Sequence, residues 1–247
     1  MNSLVCDIGN SFTKFGFFKD DNLIMVMGIE TKKLKKDKRY FFFLDKTKEI
    51  IISSVVPKAK EVLIKEIKNF NKKINIYSLS ELKIDLDYSL YEKSKLGEDR
   101  IASCYYVYKF YKKNGIVCDL GSATTFSCVR KEGVFIGGLI LPGILTSYSF
   151  LAQIKKIAKN EIVFNRKIEP KGLSPKMAVL EGIKFFVLEG LSFLIKKYKN
   201  LVGKNFKVFL TGGLSFIFHR YLKGVDYFEP YLSLKGLNLI LKEVLWD

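Results

Sequence analysis

Leu4-Val5-Cys6-Asp7-Ile8-Gly9-Asn10-Ser11 and Ile116-Val117-Cys118-Asp119-Leu120-Gly121-Ser122-Ala123 are two renderings of one pattern, an apolar run closed by Asp-x-Gly-Asn/Ser. A long-range echo of this kind marks a duplicated supersecondary unit. Each apolar run reads as a buried strand, and each acid-glycine cluster as a tight turn into a second β-rich segment, Thr13 to Lys19 and Thr124 to Arg130. A third strand follows in both copies. Asp20-Asp21-Asn22 turns the chain into Leu23 to Ile29, and Lys131-Glu132-Gly133 turns it into Val134 to Leu141.

Beyond these meanders the pattern becomes helical and extended by turns. Glu49 to Val56 is a β-branched strand, and Pro57 can open a helix over Lys58 to Phe70, where Ala59, Val62, Leu63, Ile67 and Phe70 share a face. Ile74 to Tyr77 reads as a further strand, and a helix from Glu98 to Lys112 ends at Asn114-Gly115. The second half predicts helices over Ile144 to Lys159 and Ser174 to Lys199, a strand over Phe206 to Thr211, and helices after Gly213 and after Tyr231. The stretch from Thr31 to Lys48 has no strong period and is read as a variable loop or short strand. The fold class is therefore α/β, two mixed β-sheets flanked by helices, with domains expected at residues 1–114 and 115–247.

Composition narrows the function classes. With 48% hydrophobic and 27% charged residues in 247, the chain can bury a real core. No export signal is expected, because Asp7 interrupts the apolar run that follows Met1. The apolar stretch from Phe185 to Ile195 contains Glu189 and falls short of the roughly 20 residues a bilayer requires, so no membrane partner and a cytoplasmic location are expected. Cys6, Cys104, Cys118 and Cys128 lack CxxC spacing and have only His219 to collaborate with, which argues for buried thiols over zinc or redox chemistry. The formal charge of +17 comes mainly from lysines dispersed along the chain, a solvated coat rather than a concentrated nucleic-acid face, so nucleic acid is not an expected partner.

An Asp-x-Gly-Asn-Ser turn after a buried strand offers what a nucleotide needs. Gly9 permits close backbone approach, the amides around Asn10 and Ser11 can point at an anion, Asp7 can hold a hydrated magnesium ion, and Lys14 adds a point charge. Two such turns suit phosphoryl transfer, which depends on positioning and charge neutralisation. Thr211-Gly212-Gly213, between an apolar strand and a helix, is a third glycine-lined approach. Gly97-Glu98-Asp99-Arg100 opens a helix; its carboxylates read equally as helix-start residues or as a proton acceptor for a hydroxyl, with Arg100 able to grip a substrate carboxylate. Gly137-Gly138-Leu139-Ile140-Leu141-Pro142-Gly143 is a glycine-bounded strand, open to reading as a bend or as a close approach to a ligand.

Taken in order, these elements resemble the type III pantothenate kinases of the sugar kinase, heat-shock and actin superfamily. Asp7-Ile8-Gly9-Asn10-Ser11 is similar to the family's first phosphate motif, Gly97-Glu98-Asp99-Arg100 to its GxDR motif, and Asp119 to Thr125 to its DxGTATT motif. Gly137 to Gly143 is similar to its GGxIxPG motif, Thr211-Gly212-Gly213 to its TGG element, and Tyr231 to Leu237 to its closing LTLEGL segment. The resemblance implies two ribonuclease-H-like, actin-like ATPase domains and transfer of the ATP γ-phosphate to the primary hydroxyl of pantothenate, the first step of coenzyme A synthesis. It implies ATP contacts at Asp7, Gly9, Asn10, Ser11, Thr13, Lys14, Ser122, Gly212 and Gly213, and magnesium held by Asp7 through water. It implies Asp99 as general base, substrate contacts at Gly97, Glu98, Asp99, Arg100 and Ser174, and Asp119 as ligand of a monovalent cation, potassium or ammonium. It also implies a homodimer.

The chain departs from the family pattern at Ser122, where threonine is usual, and at Tyr91-Glu92-Lys93-Ser94-Lys95-Leu96, where the family has Asn-Pro. Two alternatives accompany the kinase reading: a non-catalytic accessory factor of the same fold linked to transcription, and a kinase for another small hydroxylated substrate.

Overall fold

The computed structural model describes residues 2–92, 95–154 and 172–246. The expected helical residues 155–159 lie outside that set. The chain forms two compact units, one made of Met1–Lys112, Val129–Ile136 and Tyr231–Asp247, the other of Lys113–Cys128 and Gly137–Pro230.

In the first unit, β1 (Asn2–Ile8), β2 (Phe12–Lys19) and β3 (Asn22–Glu30) form the expected meander, and β4 (Glu49–Ser54) and β5 (Asn75–Ser78) extend it in the order β3-β2-β1-β4-β5. β1 runs antiparallel to β2 and parallel to β4, so the sheet is mixed. Leu4, Cys6 and Ile8 of β1 and Ile50 and Ile52 of β4 are buried in one core cluster, which accounts for the continuous apolar runs. Helix α2 (Pro57–Phe70) starts at its proline, as the sequence indicates.

The stretch from Thr31 to Lys48 is not a loop. It folds as a 3-10 turn (Thr31–Lys33) and a short helix α1 (Phe41–Leu44), and it places Leu34, Tyr40, Phe43 and Leu44 in the core. Tyr40 stacks on Phe15 at 4.9 Å between ring centroids. Helix α3 (Glu98–Tyr106) continues through a wider turn (Val107–Tyr111) to Lys112, whose φ of 52° ends it in the left-handed region.

In the second unit, β6 (Gly115–Leu120), β7 (Ala123–Val129), β8 (Phe135–Pro142), β9 (Lys207–Thr211) and β10 (Tyr227–Phe228) make a sheet in the order β10-β9-β6-β7-β8. β6 pairs in parallel with β9, and β9 with β10. Helices α4 (Ile144–Ile154), α5 (Pro175–Phe185), α6 (Leu191–Val202) and α7 (Ser215–Phe218) belong to this unit, with Phe186–Gly190 a wide turn between α5 and α6.

The division is not between sequential halves as expected. The tip of the β7–β8 hairpin and the last helix, α8 (Leu232–Trp246), count with the first unit. The cause is packing: Leu234, Leu237, Ile240 and Leu241 of α8 are buried, and α8 lies against α3 and β1. Gly236 permits the approach, since a Cβ there would sit 1.9 Å from the Ala102 carbonyl oxygen. All four cysteines are buried thiols, and burial pushes Cys6 and Cys118 well above the ordinary thiol range. Among the described residues no helix is long and apolar enough to cross a membrane.

Candidate active site

In the first unit the site begins where β1 ends. Asp7 is 7% exposed. The Ser53 hydroxyl donates to its Oδ1 at 2.9 Å and the Ser233 hydroxyl to its Oδ2 at 2.8 Å. Both carboxylate oxygens are thus pinned from within the fold while each keeps acceptor capacity for a further donor. Lys14 stands directly across from Asp7 in the β1–β2 register, on the same face of the sheet. The turn between them is tight, with the Gly9 N–H donating to the Phe12 carbonyl at 3.0 Å, and Asn10 and Ser11 are exposed at its tip. Thr31 braces it: its hydroxyl donates to the Gly9 carbonyl at 2.7 Å, and its N–H donates to the Ser11 carbonyl at 3.0 Å. Thr13 is fully buried, with its hydroxyl 3.2 Å from that of Thr31. Its place is beneath the turn, not at its open face.

Gly97 caps α3, and Glu98 and Asp99 fill the helix's first turn, where the macrodipole favours acids. The two carboxylates differ. The Ser54 N–H donates to Glu98 Oε2 at 3.0 Å, tying the helix start to the end of β4. Burial raises Glu98 above the ordinary carboxylate value, the Ser54 bond opposing it. Asp99 turns back over Gly97, so that a Cβ on Gly97 would meet Asp99 Oδ1 at 2.5 Å. Arg100 is 7% exposed, and its guanidinium carbon lies 5.7 Å from the Tyr91 ring centroid and 5.4 Å from that of Phe135. Tyr91 and Phe135 meet edge to face at 5.5 Å. The segment that departs from the family pattern therefore supplies one of the rings against which Arg100 is held.

The second unit gathers three of the sequence motifs into one cluster. Asp119 is the penultimate residue of β6, and its Oδ1 sits against two glycines: a Cβ on Gly121 would lie 3.1 Å from it, and one on Gly212 only 2.3 Å. Gly212 also has φ +93°, a conformation open to glycine. The Leu214 N–H donates to the Leu120 carbonyl at 3.2 Å, locking the Thr211-Gly212-Gly213 corner to the Asp119 turn. Gly143 packs on the same turn, since a Cβ there would lie 2.0 Å from the Ser122 carbonyl oxygen, and the Thr146 hydroxyl donates to that oxygen at 2.7 Å. The glycine-bounded strand β8 thus ends in a close approach to the Asp119 turn. Gly213 has open space above it.

Ser174 caps α5, its hydroxyl accepting the Met177 N–H at 3.3 Å, at one side of an open apolar groove of about 650 Å³ lined by Ser147, Pro175, Val179 and Ile183. Sequence reasoning did not single out Ser53, Ser233, Thr31 or Thr146. Only Ser233 lay inside a quoted motif, and lone hydroxyls carry no spacing signal.

The donor sets bear on the cations that the resemblance implies. Among the described residues no group of three or more His, Cys, Asp or Glu gathers that could hold a metal ion. A cation bound here would rest on single carboxylates together with nucleotide and water, which suits a hydrated magnesium ion at Asp7. At Asp119 the side-chain-free backbone of Gly121 and Gly212 packs closely on a single carboxylate, a donor set that suits an ion of low charge.

Two mixed sheets, each with an acid at the end of its leading strand followed by a glycine turn, define the fold class of the sugar kinases and actin-like ATPases, and solved members of that class align over nearly the whole chain. The sequence profile described as type III pantothenate kinase matches residues 3–188, and the chain belongs to that family. It is 30% identical over 243 residues to the type III pantothenate kinase of Persephonella marina, with 94% of each chain covered. It is 27% identical over 253 residues to that of Desulfatibacillum aliphaticivorans, with 98% of each covered. A Campylobacter jejuni structure assigned to the Baf family of transcriptional activators aligns with a TM-score of 0.65 at 24% identity, over 99% of this chain and 100% of that one, a likeness of fold.

Proposed function

We propose that this chain is an ATP-dependent pantothenate kinase, transferring the γ-phosphate of ATP to the primary hydroxyl of pantothenate to give 4'-phosphopantothenate. The observation that carries the reading within its family is the division of labour at the start of α3. Glu98 accepts the Ser54 N–H and ties the helix start to β4, while Asp99, turned back over Gly97, takes the part of the base that the family resemblance implies. The pantothenate hydroxyl oxygen attacks the γ-phosphorus, its proton passes to Asp99, the bond from the γ-phosphorus to the β,γ-bridging oxygen breaks, and ADP leaves.

Arg100, held rigid by Tyr91 and Phe135, pairs with the pantothenate carboxylate. The exposed amides of Asn10 and Ser11, with Gly9, Lys14 and Ser122, receive ATP phosphates, and Gly212 and Gly213 line the nucleotide's approach. Thr13 contributes by shaping the turn. Asp7 holds magnesium through water and Asp119 a potassium or ammonium ion; these ions supply neutralisation of phosphate charge. Ser174 is assigned to the substrate side. The protein works in the cytoplasm as a homodimer, as the family resemblance implies.

An ADP-release assay across pantothenate, sugars and acetate tests the assignment. Turnover is expected only with pantothenate, magnesium and potassium or ammonium together. Acceleration by a sugar or by acetate, with pantothenate inert, would reduce the reading to fold alone.

A further inference from the structure

Asp7 does not stand alone at the end of β1. Its two oxygens are each taken by a buried hydroxyl, and the donors come from opposite ends of the sequence. Ser53 lies on β4 and is fully buried; Ser233 lies in the first turn of α8 and is 5% exposed. The stretch matched by the family profile ends at residue 188, so it includes Ser53 and stops short of Ser233.

A carboxylate at a strand end has two soft torsions, and its oxygens can swing through several ångströms. Two hydroxyl donors on the two oxygens remove that freedom. Toward Asp7 each hydroxyl acts as the donor, filling one acceptor site per oxygen and leaving further acceptor capacity on both. One turn beyond Ser233, Gly236 sits against the Ala102 carbonyl of α3, the helix that begins with Glu98, Asp99 and Arg100. Other bonds fix the register of α8. The Ser3 hydroxyl donates to Asn238 Oδ1 at 2.6 Å, the Asn238 amide donates to the Asp20 carbonyl at 3.1 Å, and Lys242 pairs with Asp21. Ser233 is thus delivered to Asp7 by a helix that cannot slide.

We infer that Ser53 and Ser233 are positioning residues that hold the Asp7 carboxylate in the orientation needed for the hydrated magnesium ion of ATP. This rests on the reading of Asp7 as the magnesium-facing acid. Ser233 is the more informative of the two, because α8 is held by other bonds and the hydroxyl can be removed without deleting an apolar side chain.

Calorimetric titration of the full chain with ATP, at a series of magnesium concentrations and without pantothenate, tests it. Ser233→Ala is expected to weaken magnesium-dependent ATP binding by roughly 3- to 10-fold, the scale of one ordinary net hydrogen bond, and to raise the magnesium concentration needed for half-maximal binding. Ser233→Thr should restore both, and KM for pantothenate should be unchanged. Asn238→Ala removes two of the bonds to α8 but leaves the Lys242–Asp21 pair and the buried leucines to hold its register, so it should lower thermal stability and leave the magnesium dependence as in the parent. If Ser233→Ala leaves that dependence unaltered while Asp7→Asn abolishes it, the clamp is refuted and the role of Asp7 stands. Should Asp7→Asn also leave it unaltered, both fall. An equal shift from Asn238→Ala would assign the effect to helix displacement and likewise refute the clamp.

Discussion

Gly212 lies beneath Asp119 so closely that a methyl group on its Cα would reach within 2.3 Å of Asp119 Oδ1. Its φ of +93° adds backbone strain for any side chain. Gly212→Ala is therefore expected to destabilise the second unit by about 1–3 kcal/mol and to weaken the response to potassium or ammonium. Urea denaturation together with a cation titration of turnover would measure both.

Gly143 follows β8 and Gly137 lies within it, and the two carry different burdens. Gly143 touches the Ser122 peptide, whereas Gly137 has nothing within 4 Å of a notional Cβ and only its φ of +113° to protect. Gly143→Ala should displace the Asp119 turn and cut kcat by up to roughly 10²-fold, the scale of a misplacement of about 1 Å. Gly137→Ala should cost about 1 kcal/mol of stability with turnover nearly unchanged. Steady-state kinetics beside thermal melts separates them.

Asp99→Asn should lower kcat by roughly 10² or more while ATP still binds. Glu98→Gln should act chiefly on stability, because it weakens the tie to the Ser54 N–H. Unchanged turnover in Asp99→Asn would remove it as the base.

Tyr91→Ala removes one of the two rings beside Arg100. KM for pantothenate is expected to rise by roughly 3- to 10-fold, the range of a partly desolvated cation–π contact, with KM for ATP constant. A rise in both would assign Tyr91 a general structural part.

Much of this was legible before the structure, and the reasons are local. The two meanders and their turns are written in neighbouring residues, an apolar run followed by Asp-x-Gly, and β1 through β3 appear within a residue or two of the expected bounds. Tyr40 to Leu44 escaped because a four-residue helix is shorter than any window that reveals a period, although it buries Tyr40 and Phe43 completely. The allegiance of α8 could not be read from its own pattern, since amphipathic spacing says that a face is buried but not against what. Thr13 shows the same limit at the site: motif membership placed it with the phosphate turn, and only the fold shows its hydroxyl meeting Thr31 under that turn.

Acid stability has a local handle at Asp226. Burial alone would raise its carboxyl, but hydrogen bonds from Lys199 at 2.9 Å and from the Val208 N–H at 2.8 Å outweigh it and hold it below the ordinary carboxylate value. A folded value below the unfolded one means stability is fully present above about pH 4 and is lost as pH falls through the folded value. Asp226→Asn should be less stable than the parent at neutral pH and should lose less between about pH 4 and pH 2. Denaturation midpoints at both ends of that window provide the check.

Because α8 completes the first unit, the order of synthesis and the order of assembly differ. The strands that carry Asp7 leave the ribosome early, yet they must wait for residues 231–247 before their sheet is covered and Ser233 can reach its acid. Until then the face of the sheet that carries Val5 and Phe18, where Leu234 packs, stays uncovered in the nascent chain, and the second unit has its own elements ready to fold first.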